Sequence, residues 1–161
     1  MGCIARILRL VLSLIAGYTV LATIVVGGLF GVAFAMGAAF CYDGDSWLAS
    51  TPFCAISLVI GFIAALAGGA VSSLIARRAG VWALLTVVAL LGIGQAMSAT
   101  MSIDQSRLAD RPATRPADLA VPDMARWSEK PLWCEWANVV VGLAGIVTGA
   151  RMARRSPSQR G

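Results

Sequence analysis

Charges along this chain cluster, and the gaps between the clusters set the expected elements. After Arg6 and Arg9, no charged residue occurs until Asp43, and the intervening run over residues 10–40 is almost wholly apolar. A second uncharged run covers 55–76 and stops at Arg77-Arg78-Ala79-Gly80; a third, 81–101, follows at once. Roughly 20 apolar residues suffice for a helix to cross the hydrocarbon of a bilayer, so each run predicts a transmembrane helix. The fourth run is shorter, with 14 uncharged residues over 137–150. Trp133 and Trp136 extend it to a span over 133–150 by anchoring one end at an interface. The pattern therefore predicts an all-α, polytopic membrane protein, a four-helix transmembrane bundle.

The segments between these runs complete the organisation. Residues 1–9 form a basic N-terminus, 41–54 a first outer loop, 77–80 a tight cytoplasmic turn and 151–161 a basic tail. Residues 102–132 carry ten charges and four prolines, with Arg111-Pro112-Ala113 nearly repeated as Arg115-Pro116-Ala117. That composition predicts an extended, solvated outer loop with too little apolar surface to fold alone. As a straight helix the 10–40 run would reach about 46 Å, more than a bilayer core, so it must tilt or bend; Gly27-Gly28 and Gly31 are the expected place. Gly80 is expected to stop the second helix in a left-handed conformation. Ala33-Phe34-Ala35 fits the cleavage site of a secretory signal, which would remove residues 1–35, but the apolar stretch far exceeds a signal's roughly 7 to 15 residues.

Charge supplies the orientation. Residues 1–9, 77–80 and 151–161 together hold eight of the 13 Lys and Arg and none of the eight Asp and Glu. Short basic segments stay on the cytoplasmic side, so both termini are expected there, in a plasma membrane of the bacterial inner-membrane kind. Trp47, Trp133 and Trp136 would then mark the outer interface and Trp82 the inner one. The net charge of +5 is spread over these flanking segments, which points to the lipid surface and away from nucleic acid.

Candidate chemistry is sparse. The chain has no histidine, so the commonest general base and metal ligand are missing, and no nucleophile stands near a base in sequence. No catalytic, cofactor-binding or metal site is assigned, and no cofactor is expected. Asp43-Gly44-Asp45-Ser46 resembles the start of a calcium loop, but Cys54 stands where the bidentate glutamate belongs. No C-x-x-C pair supports a membrane thiol oxidoreductase, which ranks last among the function classes. A disulfide between Cys41 and Cys54, at the two ends of the first outer loop, is the favoured pairing, with Cys134 as competitor.

Small residues recur at one-turn spacing in each span: Gly27, Gly31 and Ala35; Gly61, Ala65 and Gly69; Gly92 and Ala96; Gly145 and Gly149. Such faces let helix backbones approach closely in lipid, within the chain or against another copy or another membrane protein. Gln95 and Asn138 are the most polar side chains expected within the spans, and no charge lies centrally in any span, which disfavours ion coupling. Two function classes follow: a non-enzymatic packing or interaction component of the membrane, and an oligomeric pore or transporter for a small uncharged solute lined by Ser, Thr, Gln95 and Asn138.

Overall fold

The computed structural model describes residues 3–101, 112, 120, 122–123 and 127–155. Three helices account for most of them: α1 (Cys3–Cys41), α2 (Thr51–Thr100) and α3 (Leu132–Arg155). All three are long and apolar enough to cross a membrane.

Three helices therefore stand where the charge pattern predicts four. The second and third predicted spans belong to one element, α2, interrupted only at Ala76 (φ −124°, ψ 19°) and Arg77 (φ 51°, ψ −133°). The chain reverses at this break. Ala65 and Leu84 lie in one buried cluster, yet in a straight helix 19 residues would separate them by about 28 Å. Two residues are enough for the reversal, so no loop divides the element. Arg77, not Gly80, takes the positive φ, and among the described residues the only glycines with positive φ are Gly37 and Gly44. Gly80 lies buried in the returning arm for a different reason: a Cβ there would run into the Ser13 hydroxyl, and would stand 2.9 Å from the Ala76 Cβ and 3.0 Å from the Ser72 carbonyl oxygen.

The break in α1 is likewise displaced from its expected place. Gly27, Gly28 and Gly31 stay helical, and the chain departs from helical geometry at Gly37 (φ 72°, ψ 177°), a conformation that only glycine adopts readily.

The two arms of α2 pack against both other helices, whereas α1 and α3 make no close backbone approach to each other. The buried positions of the first arm are mostly small: Ser57, Ala64, Ala65, Gly68, Gly69, Ser72 and Ser73. Larger side chains fill the centre, where Leu84 and Ile146 are fully buried with Val81 and Ala150, flanked by Leu14 and Leu21 of α1. Two hydroxyls tie the helices at this end of the bundle. Ser13 donates to the Ser72 carbonyl at 3.0 Å and lies 2.8 Å from the Ser72 hydroxyl; Ser73 donates to the Ala150 carbonyl at 3.4 Å.

The opposite end is closed by the 41–50 connection. Tyr42 and Ala49 form an antiparallel bridge, and Ser50 caps α2 by accepting from the Phe53 amide at 3.2 Å, with Pro52 in the first turn. Ser50 also donates to the Phe40 carbonyl at 2.6 Å, so one side chain joins the end of α1 to the start of α2. The segment before α3 joins this cap: the Ala49 amide donates to Glu129 at 2.7 Å, and the Glu129 amide to Trp47 at 2.9 Å. Trp47 stacks edge-on against Tyr42 and Trp127, with ring centroids 5.9 and 5.4 Å away. Trp47 is buried, while Trp82, Trp133 and Trp136 are exposed. Most of the predicted 102–132 loop, and residues 156–161 of the predicted tail, lie outside the described residues.

Candidate functional site

The feature with most chemical content is a cleft of about 230 Å³ lined by α1, both arms of α2 and α3. α1 contributes Leu21, Val25 and Leu29 to its apolar wall, and the returning arm of α2 adds Val88 and Leu91. Gly61, Gly92 and Gly142 keep the space open by lacking side chains. Gln95 and Asn138, the two polar side chains singled out from sequence, both line it, together with Tyr18 and Ser57.

Each polar group is placed by its helix. Asn138 sits one turn inside α3 from Cys134 and donates through Nδ2 to the Cys134 sulfur at 3.7 Å; its Oδ1 would lie 3.6 Å from a Cβ built on Gly61. Ser57 donates to the Cys54 carbonyl at 2.7 Å and stands 3.9 Å from the Cys134 sulfur. Lys130 and Glu135 are the charged members of the lining, supplied by the segment leading into α3 and by its first turn. An amide can donate and accept without carrying charge, so Gln95 and Asn138 can meet an uncharged hydrogen-bonding group beside the apolar wall, with Lys130 and Glu135 also in the lining.

Among the described residues no threonine lines this cleft, and three bond within their own helices. The hydroxyls of Thr86, Thr100 and Thr148 donate to carbonyls four residues back in their own helices, at 3.0, 2.7 and 2.8 Å. That local bond satisfies a hydroxyl without any partner across the bundle.

The cysteines fall into two neighbourhoods at the capped end. Cys41 is buried with Ala38, Tyr42 and Trp47. Cys54 and Cys134 are buried together with Ala49 in one cluster. Phe53 packs against both groups. Cys3 is exposed at the far end of α1.

The small-residue positions divide just as clearly. A Cβ on Gly69 would collide with the Ile146 backbone, and one on Gly149 with the Leu66 backbone. On Gly145 it would lie 2.7 Å from the Ala65 Cβ. These three glycines mark the line of closest approach between α2 and α3. Gly27 and Gly31 face open space, with nothing within 4 Å of a Cβ at either. The α1 glycines that meet α2 are Gly17, against Gly68 and Ser72, and Gly28, against Ile60. Their separation of three helical turns puts them on one face, a periodicity that a search for one-turn repeats passes over.

Comparison of the chain with protein-family models, with curated proteins and with solved structures finds no match.

Proposed function

We propose that this chain is an integral membrane protein that crosses the bilayer four times, α2 twice, with both termini cytoplasmic, and that it works as a non-enzymatic packing component joining another membrane helix. The supporting observation is the bare face of α1. Gly27, Gly31 and Ala35 follow one another at one-turn spacing and are exposed, and only 11% of the most apolar stretch of α1 is buried. A smooth helix face with no partner among the described residues suits a helix from outside the chain, in a second copy or in another membrane protein.

Mass measurement in mild detergent, with identification of co-purifying proteins, tests this reading. The wild-type chain should run as an oligomer or with a partner, and Gly31→Leu should release it without moving the melting temperature of the single chain. A wild-type chain that is monomeric and alone would overturn it. Reporter fusions test the crossings: residues 79 and 161 should report inside, residues 48 and 115 outside. A report from residue 79 on the same side as residue 48 would mean that α2 does not cross twice.

The cleft favours a second reading, in which the bundle takes up a small uncharged solute. Gln95 and Asn138 come from different helices and line the same space. Glycerol or urea entry into liposomes carrying the protein should then exceed that into empty liposomes, and Asn138→Leu should reduce it. Equal entry would leave the packing reading alone.

A further inference from the structure

The start of α2 and the start of α3 are held by no covalent link, although they are far apart in sequence and both carry a buried thiol. Cys54 lies in the first turn of α2, below Ser50 and the Ala49 carbonyl, and Cys134 lies in the first turn of α3, where its amide donates to the Pro131 carbonyl at 2.9 Å. The exposure of the two residues is 1% and 0%. Each backbone is held at the start of its helix, and the two residues pack into one buried cluster with Ala49. Close placement of two thiols is what a disulfide requires.

We propose that Cys54 and Cys134 are a redox pair, closing to a disulfide that staples the second helix to the third at the capped end of the bundle. This differs from the pairing of Cys41 with Cys54 that loop position alone suggests. Cys41 belongs to the Tyr42 and Trp47 cluster, whereas Cys134 shares its cluster with Cys54. The reaction is thiol–disulfide exchange with a low-molecular-weight disulfide as oxidant. One cysteine loses its proton and its thiolate attacks a sulfur of the oxidant, expelling one thiolate. The second cysteine, also deprotonated, then attacks the mixed disulfide and expels the other. Two electrons pass from the cysteines to the oxidant, which leaves as two thiols.

Ser57 and Asn138 both touch the Cys134 sulfur and both line the cleft, so the pair lies one side chain behind the cleft wall and meets an oxidant when that wall opens. Closure would also pin the two sides of that wall, because Ser57 belongs to α2 and Asn138 to α3. Redox state would thereby set how far the cleft can open. The pairing itself does not depend on the direction in which the chain crosses the membrane or on its partner.

The test uses the full chain in detergent, equilibrated with mixtures of oxidised and reduced glutathione, then denatured, alkylated and mapped by mass without reduction. The expected product is a peptide crosslinked through Cys54 and Cys134, with Cys3 alkylated. The oxidised chain should melt about 5 °C or more above the reduced one. Cys134→Ser should abolish both the crosslink and the shift, and Cys41→Ser should preserve both. Recovery of Cys54 and Cys134 as alkylated thiols under the most oxidising mixture would overturn the proposal, as would a dominant crosslink between Cys41 and Cys54. The wild-type mapping decides the matter even where a variant fails to fold.

Discussion

Two faces of this molecule share the same sequence signature and are used in opposite ways. Gly69 on α2 and Gly149 on α3 are closed over by the neighbouring backbone and Gly145 on α3 by the Ala65 Cβ, so that even a methyl group would force the helices apart. Gly27 and Gly31 on α1 have the same spacing and the same lack of side chains, yet nothing approaches them. One-turn spacing of small residues establishes that a helix face is smooth. It does not establish that the face is occupied, because occupancy depends on which way the helix is rotated against its neighbours. α1 is turned so that Gly17, Leu21 and Gly28 meet α2, and successive residues are rotated by about 100°, which carries Gly27 and Gly31 off the interface.

The comparison is tested most severely at Gly149 and Gly69. Their alanine variants place a Cβ against backbone, which cannot rotate away, so α3 must move off α2 or shift along it. We expect each to cost about 3 kcal/mol, at the upper end of what overpacking of a close-packed site costs, read as a lowered melting temperature in detergent. Gly145→Ala should cost less, about 1 to 2 kcal/mol, because its nearest obstacle at 2.7 Å is the Cβ of Ala65 and the Phe62 carbonyl oxygen stands at 3.0 Å. Equal melting temperatures for Gly149→Ala and wild type would mean that α2 and α3 are not in contact along this line.

This gradient also shows what was legible in the sequence. Helical character follows from the charge-free runs, which fall within helices long and apolar enough to cross a membrane: 10–40 in α1, 55–76 and 81–101 in α2, and 137–150 in α3. The number of elements was less accessible. Arg77-Arg78 looks like a boundary between two helices, yet the reversal needs only Ala76 and Arg77, with the non-glycine residue taking the positive φ. Composition likewise hid the aromatic cap: Trp47 and Trp127 are 80 residues apart, and nothing local to either forecasts their meeting at 5.4 Å. Ser50-Thr51-Pro52 was a readable signal, a capping serine followed by proline in the first turn, and it starts α2 four residues before the apolar run. In the cleft, polarity within apolar runs picked out Gln95 and Asn138, but only the packing of three helices brings them to one space.

The occupied side of α1 offers a prediction of intermediate size. Ser13 is fully buried, and its hydroxyl donates to the Ser72 carbonyl and stands 2.8 Å from the Ser72 hydroxyl. Ser13→Ala removes these bonds and leaves a small void, while the Ser72 hydroxyl can turn to a carbonyl of its own helix. A loss of about 1 kcal/mol is expected, in line with a buried neutral hydrogen bond. The same measurement on a chain whose α1 had been drawn away by its outside partner would show no loss, so the variant reports whether α1 stays docked on α2.

The smallest effect is expected at Gly31, and its sign carries the information. With nothing within 4 Å of the added Cβ, Gly31→Ala removes no contact within the chain and closes no gap. What remains is the backbone term. Alanine has less freedom to lose than glycine on entering a helix, a difference of roughly 0.5 to 1 kcal/mol in water, so the single chain should melt at the same temperature or slightly higher. An outside helix seated on the Gly27 and Gly31 face would reverse that gain in the complex, because a methyl at Gly31 would hold the two backbones apart just where they need to be closest. Gly31→Ala should therefore leave the melting of the isolated chain unchanged or raised while weakening its association, read as a shift of the oligomer or partner complex toward monomer on dilution in detergent. A lowered melting temperature for the isolated chain would mean that α1 is rotated differently from this description, and that its glycine face is occupied within the chain like those of α2 and α3.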